Sequence, residues 1–297
     1  MTETYRTSAT RLPEGIEVLQ PSDLGTIRIP WDARYTRDEV SDIVSRRPSL
    51  SLLDRRTGGY LLGAPWRHRD TIANVIDIVG PSVSVELLKS FIIRCDELGF
   101  DLAIVAEYAE RRRESFYSSA GMDVLEDIVV YELGRLPRGP HITANGHRLM
   151  LSPVDLSHDG AFAELLALDH RAFPWLWWNS RGEFENYAGV PGVSIDFARS
   201  EGDEPIGYIG TTSLGSWGHL DRIAVEPELQ GRGYGRALLD LSIERLREGG
   251  ARRVALSTQA SNTISRALYE SVGFRRSSSH DYRIYGRRLS GARRDSN

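Results

Sequence analysis

The 297-residue chain has one cysteine, Cys95, one lysine, Lys89, and three methionines. A lone cysteine excludes an internal disulfide and a cysteine-based metal cluster within one chain, and its expected role is packing on a helix. No His/Cys/Asp spacing suits a metal, so none is assigned. No apolar run approaches a membrane span, and Met1 to Gly15 is polar, without a signal-peptide core. The formal net charge of −4 has no excess that draws a chain to nucleic acid or to a membrane. We therefore expect a soluble, cytoplasmic protein, monomer or homodimer, with neither as partner. The basic charge is otherwise all arginine, which we read as codon composition rather than function.

What is present is enough for ordinary cores: 40% of residues are apolar, and the length suggests about two domains. Strands are expected near Ile16, Leu50–Leu53, Tyr60–Gly63, Asn74–Val79, Leu102–Ala106 and Ile128–Leu133. Helices are expected over Tyr35–Ser45, Val83–Leu98 and Arg111–Ala120. The stretch from Gly134 to Gly146, with Pro137, Gly139 and Pro140, breaks both patterns and is the natural linker. The second half starts near Arg148. Its helices are expected over Ala161–Ala172, Glu183–Tyr187 and Asn262–Ser271, the last with Ile264, Ala267, Leu268 and Val272 on its core face. Its strands are expected over Val193–Arg199, Ile206–Leu214, Arg253–Thr258 and Asp281–Arg287. The division is 1–137 and 148–289 as domains, 138–147 as linker and 290–297 as a disorder-prone tail.

The most informative stretch is Leu220 to Arg236. Leu220–Val225 is a short, apolar-rich run stopped by Glu226-Pro227, as a buried strand would be. Gly231, Gly233 and Gly235 follow, and Leu239, Ile243 and Leu246 then take helical spacing. Glycines let backbone N–H groups converge, and a helix N-terminus adds partial positive charge, so the arrangement suits a diphosphate. Arg232 and Arg236 add full charges. The lysine and Ser/Thr of a triphosphate loop are missing, and the spacing is not Gly-x-Gly-x-x-Gly.

The halves repeat. Phe116-Tyr117-Ser118-Ser119-Ala120-Gly121-Met122 matches Leu268-Tyr269-Glu270-Ser271-Val272-Gly273-Phe274. Leu87 and Phe91 match Leu239 and Ile243. Seven residues separate Val79 from Leu87, where thirteen separate Val225 from Leu239. The missing six fall at the glycine loop, so the first half is read as a degenerate copy, structural or substrate-shaping.

Gln230-Gly231-Arg232-Gly233-Tyr234-Gly235 after Ile-Ala-Val-x-Pro resembles the pyrophosphate loop of the GNAT acyltransferase superfamily. Arg266-Ala267-Leu268-Tyr269-Glu270-Ser271-Val272-Gly273-Phe274 resembles a second signature of that superfamily. The tandem arrangement resembles mycothiol synthase-like actinobacterial proteins. The resemblance implies an α/β (α+β mixed) fold: two tandem GNAT-like domains, each a twisted mixed sheet flanked by helices, with the fourth and fifth strands splayed. It implies acetyl-CoA as acyl donor, its arm on the backbone of Ile223, Ala224 and Val225, its diphosphate held by Gln230 to Arg236 and contacted by Asn262.

The reaction that follows is attack of a neutral amine on a thioester. Tyr269 is the candidate acid for the departing sulfur. His219 and Asp221 are candidate bases, since on a regular strand both share a face with Ile223 and Val225; a water chain is the alternative. Trp175, Trp177 and Trp178 are candidates for the acceptor pocket, where aromatic walls suit a flat acceptor or a cation. Asp169 and His170 are read as helix-surface residues. The leading expectation is N-acetylation of a small-molecule amine. The alternatives are a mycothiol-pathway amine or a protein N-terminus as acceptor and, in another class, a CoA-binding scaffold without turnover.

Overall fold

The computed structural model describes residues 12–31, 33–80, 85–108, 114–136, 143–144, 147–200 and 204–290. Pro81 and Ser82, most of the expected linker and all but the first residue of the expected tail lie outside them. In chain order the elements begin β1 (Ile16–Val18), α1 (Arg37–Arg46), β2 (Leu52–Asp54), β3 (Tyr60–Pro65), β4 (Ile72–Val79), α2 (Val85–Glu97), β5 (Leu102–Tyr108) and α3 (Glu114–Ser119). Then come β6 (Asp123–Leu133), β7 (Thr143–Ala144), β8 (His147–Arg148), β9 (Met150–Pro153), α4 (Asp159–Ala172), α5 (Arg181–Ala188), β10 (Val193–Arg199) and β11 (Pro205–Leu214). The last are β12 (Trp217–Val225), α6 (Tyr234–Glu248), β13 (Arg253–Gln259), α7 (Thr263–Val272), β14 (Arg275–Arg276) and β15 (Tyr282–Arg288). The fold is mixed α/β, as expected.

The chain forms two compact units, one of residues 1–126 with 282–297 and one of 127–281. This differs from a division in chain order at 138–147. The reason is strand pairing. β15, last in the sequence, lies antiparallel to β5 from Tyr282↔Tyr108 to Arg288↔Leu102. β6, from the end of the first repeat, pairs with β13 from Val254↔Leu133 to Gln259↔Ile128. Each unit thus takes an outer strand from the other half of the sequence. A row of backbone hydrogen bonds with its side-chain contacts outweighs the local Gly/Pro break that composition marks.

In the first unit the strands run β1-β2-β3-β4-β5-β15. Leu87, Leu88, Phe91 and Cys95 of α2 pack on Leu61, Ala73, Val75, Tyr117 and Tyr285. Burial pushes the Cys95 thiol pKa up, which makes it a packing residue rather than a reactive one. Val40 and Val44 of α1 cover another cluster with Leu19, Tyr60 and Leu62.

In the second unit the order is β6-β13-β12-β11-β10-β9, with β14 also against β6. Helix α6 forms because Leu238, Leu239 and Leu246 recur on one stripe, and each is fully buried. At about 1.5–3 kcal/mol per buried leucine, that stripe decides the helix more than propensity does. It packs on Leu220, Ile223 and Val225. The opposite face of the sheet is covered by Phe162, Leu165 and Leu168 of α4 and Phe184 of α5, against Tyr208 and Ala224.

Both units hold one parallel pair that parts along its length. β4 and β5 pair only from Ile72↔Leu102 to Val75↔Val105, and β12 and β13 only from Trp217↔Arg253 to Leu220↔Leu256. Asp221–Val225 therefore presents a strand edge without a β13 partner among the described pairs. The core face expected for α7 is corrected: Ile264 is 84% exposed, whereas Tyr269 is 5% exposed. Tyr269 is the buried residue of α7, with Ser265, Leu268 and Val272 half-buried beside it, whereas Ala267 is exposed like Ile264.

Candidate active site

Local chain geometry near the parted strands is set by a bulge. Gly210 pairs with Arg222 and Thr211 with Leu220, so Asp221 is an extra residue in β12. This overturns the regular-strand expectation of one shared face for His219, Asp221, Ile223 and Val225. Ile223 and Val225 pack with the leucines of α6. His219 and Asp221 lie on the other face, where the bulge gives Asp221 and Arg222 adjoining places.

Asp221 is a hub. His219 Nδ1 lies 2.7 Å from its Oδ1. Tyr187 of α5 donates to its Oδ2 at 2.6 Å, and Thr212 of β11 donates to the same oxygen at 2.7 Å. Burial first, then the Asp221 charge and hydrogen bond, push the Tyr187 pKa above the ordinary tyrosine range, so it remains a donor. Sequence reasoning did not find Tyr187 or Thr212, because neither lies near the glycine loop in sequence.

The loop after β12 turns where glycine is required. Gly231 has φ +75° and Gly233, the residue capping α6, has φ +88°. Both values are left-handed, where a side chain is strained. A Cβ built at either would meet no protein atom within 4 Å, so the cradle is open on its outer side. The first-turn N–H groups of a 15-residue helix have no intrahelical acceptor and face that opening's end of the helix. Gln230 Nε2 donates to Val225 O at 3.2 Å, tying the loop back to the strand. Arg232 is exposed. Arg236 is already engaged: its Nε donates to Asp240 at 3.0 Å and its Nη1 to Ser271 at 3.4 Å. These residues fit a diphosphate, with Arg236 sharing its charge with a carboxylate.

Tyr269 packs near Tyr131 and Phe274, with ring centroids 6.2 Å and 6.1 Å away. Burial pushes its pKa up to about 12, eased by a hydrogen bond with Ser265, so the phenol carries its proton at neutral pH. Asn262 is the N-cap of α7, its side chain accepting from Ser265 N at 3.1 Å. That accounts for an asparagine here without a ligand.

The three tryptophans do not form one wall. Trp177 is buried. Trp178 stacks on His170 at 4.5 Å, and its Nε1 donates to Phe173 O at 2.7 Å. Trp175 is half-buried. They are held by a network that corrects the surface reading of Asp169, which is 0% exposed. Arg222 pairs with Asp169 through Nη2. Tyr208 donates to the same carboxylate at 2.5 Å and Asn179 N at 2.9 Å. Arg222 also donates to Tyr208 Oη at 3.0 Å and to Trp177 O at 3.1 Å, and lies 3.7 Å over the Phe173 ring. Burial alone would lower the Arg222 pKa, but Tyr208 and Asp169 outweigh it and raise it. A charged pair excluded from water thus fixes the aromatic segment to β12. The signal was present in α4: Phe162, Leu165 and Asp169 share one helical stripe.

Residues 161–274 match the family described as the acetyltransferase (GNAT) family. The chain is 33% identical over 101 residues to a curated [Ribosomal protein bS18]-alanine N-acetyltransferase of Haemophilus ducreyi, covering 34% of this chain and 66% of that protein, just short of two thirds of its length. It is 46% identical over 57 residues to the mycothiol acetyltransferase of Beutenbergia cavernae, 19% of each. The fold resembles that of a tandem GNAT protein from the clavulanic acid biosynthesis pathway, with TM-score 0.55, 15% identity, and 80% and 82% of the two chains covered. The second half of the chain is thus similar to the acetyltransferase (GNAT) family, and the fold resembles that of a tandem GNAT protein.

Proposed function

We propose that the second unit is an acetyl-CoA-dependent N-acetyltransferase that acts on the amine of a small molecule by direct attack in a ternary complex. The observation that carries this reading is the free edge of β12 past Leu220, which leads through the Pro227–Leu229 turn to left-handed Gly231 and Gly233 at the start of α6. An extended arm and a diphosphate are what such an edge and cradle suit. Ile223, Ala224 and Val225 would hold the arm by backbone contacts, and Gln230 to Arg236 the phosphates. Acetyl-CoA, when bound, supplies the thioester carbon at which an N–C bond forms as the C–S bond breaks. The pair His219 and Asp221 takes the proton the amine loses. Tyr269, buried and protonated, delivers a proton to the departing sulfur. The two residues then exchange their protons with solvent, which balances the cycle.

A second acceptor class, a peptide N-terminus, is favoured by the relative that acts on a ribosomal protein's alanine. The test is thiol release from acetyl-CoA across a panel of small amines, alanyl peptides and mycothiol-pathway amines. Saturable release with a small amine is the expected result. Preference for the peptides would move the reading to the second class. Tight CoA binding with no transfer to any amine would leave a scaffold.

A further inference from the structure

On the reading above, we propose that Asp221 is a positioning residue that locks His219 with its proton on Nδ1, so that Nε2 is the atom that accepts the amine proton. Tyr187 and Thr212 hold Asp221 for that task. The hydrogen bonds leave little choice. An ionised carboxylate only accepts, so at 2.7 Å the Nδ1 of His219 must be the donor. A neutral imidazole with hydrogen on Nδ1 has a bare lone pair on Nε2. Oδ2 of Asp221 is taken by two hydroxyl donors, Tyr187 at 2.6 Å and Thr212 at 2.7 Å, so the carboxylate cannot swing away from the ring.

Two further observations argue against a network kept for stability alone. The His219 side chain is 40% exposed, so the end of the ring remote from Asp221 has access to a substrate. In the first unit, the register position of His219 opposite Thr212, two places before the extra residue of the strand, is filled by Asn74 opposite Ala64, and the extra residue is Ile76 in place of Asp221. The same sheet therefore forms there without the trio. The bulge supplies the extra residue in β12 that lets Asp221 stand beside His219 and still meet α5.

The test is Asp221→Asn, read by ¹⁵N NMR of histidine-labelled protein together with kcat. In that variant the two hydroxyls still need an acceptor at the Oδ2 position, which places the amide oxygen there. The amide NH₂ then faces Nδ1, which must accept, and the ring proton moves to Nε2. We expect the tautomer to invert, kcat to fall about 10²-fold or more, and acetyl-CoA binding to stay unchanged. Adding Tyr187→Phe and Thr212→Val frees the amide to turn its oxygen to Nδ1–H, so the original tautomer and part of the rate should return. A ring that keeps Nδ1–H in Asp221→Asn, or a kcat within twofold of the parent, would overturn the lock. The tautomer is read without turnover. An inverted ring in a protein that acetylates nothing would therefore strike the acyltransferase reading and leave the lock standing.

Discussion

The two units share a plan and differ in what lines the gap between their parallel strands. In the second, His219 stands opposite Thr212 and Arg222 opposite Gly210; in the first, the same register positions, counted from the extra residue, hold Asn74 opposite Ala64 and Asp77 opposite Leu62. The extra residue in each irregular strand pair is Asp221 in one and Ile76 in the other. Tyr117, the repeat counterpart of Tyr269, is fully buried, stacks on Tyr285 at 4.1 Å and donates to buried Glu107 at 2.9 Å. A splayed sheet with a bulge therefore forms in the first unit with Ala64 and Ile76 where the second has Thr212 and Asp221. The Thr212 hydroxyl and the Asp221 carboxylate of the second unit are additions to that scaffold, and their partial burial has to be offset by hydrogen bonds made across the unit.

The sharpest break of this comparison is a count of ligands. Isothermal titration should give one CoA per chain, because among the described residues the glycine cradle is formed by Gln230–Arg236. Gly233→Val should remove binding altogether: it strains a backbone at φ +88° and fills the open side of the cradle. Two sites of similar affinity would end the idea of a degenerate first unit.

The next effect is on stability. Asp169→Ala leaves Arg222 buried without its carboxylate and should cost about 3–5 kcal/mol in chemical denaturation. Asp169→Leu with Arg222→Met replaces the pair by apolar side chains and should recover most of that loss. Since it also removes the bond to Trp177 O, it should weaken acceptor use while leaving acetyl-CoA binding intact. Recovery of full acceptor turnover would mean that the pair does not position the aromatic segment.

The two tyrosines give a matched pair of smaller effects. Tyr269→Phe should lower kcat about 10²-fold with acetyl-CoA binding kept, the scale of general acid catalysis. Tyr117→Phe should leave kcat within about twofold, yet cost about 1–3 kcal/mol because Glu107 loses a buried donor. Equal kinetic effects at both positions would erase the distinction between the units.

The smallest effect is a pH dependence confined to the first unit. Burial would raise the pKa of Asp54, but hydrogen bonds from Arg56 N and the Thr57 hydroxyl, with the nearby Arg56 charge, outweigh it and lower the value. A lowered folded-state pKa gives stability that is present above the unfolded value and is lost as pH falls through the folded one. Asp54→Asn should therefore flatten the loss of stability below about pH 4, the ordinary aspartate range. An unchanged acid profile on denaturant titration would remove Asp54 from that account.

Much of this was legible in the chain. Gly231 and Gly233 were marked by spacing alone, since a left-handed turn at a helix start demands glycine whatever surrounds it. The repeat was marked by Tyr117 and Tyr269 in matching contexts. The face of α7 was misjudged, because Ile264 is apolar but 84% exposed, and apolar character does not oblige burial. Asp169 was misjudged in the opposite sense: a charge on an apolar stripe reads as solvated until its partner is known.

What the sequence determined by itself were the features whose cause is local: strand and helix periods, the glycine turn, the missing six residues of the first copy. Tertiary structure alone decided which strands complete each unit, where β12 bulges, and that Asp169 meets Arg222 from 53 residues away. The physical reason is one of range. Backbone torsion and amphipathic period act between neighbours in the chain. A buried charge, an extra strand residue and an exchanged strand are stable only when a distant segment supplies the opposing charge or the next row of hydrogen bonds.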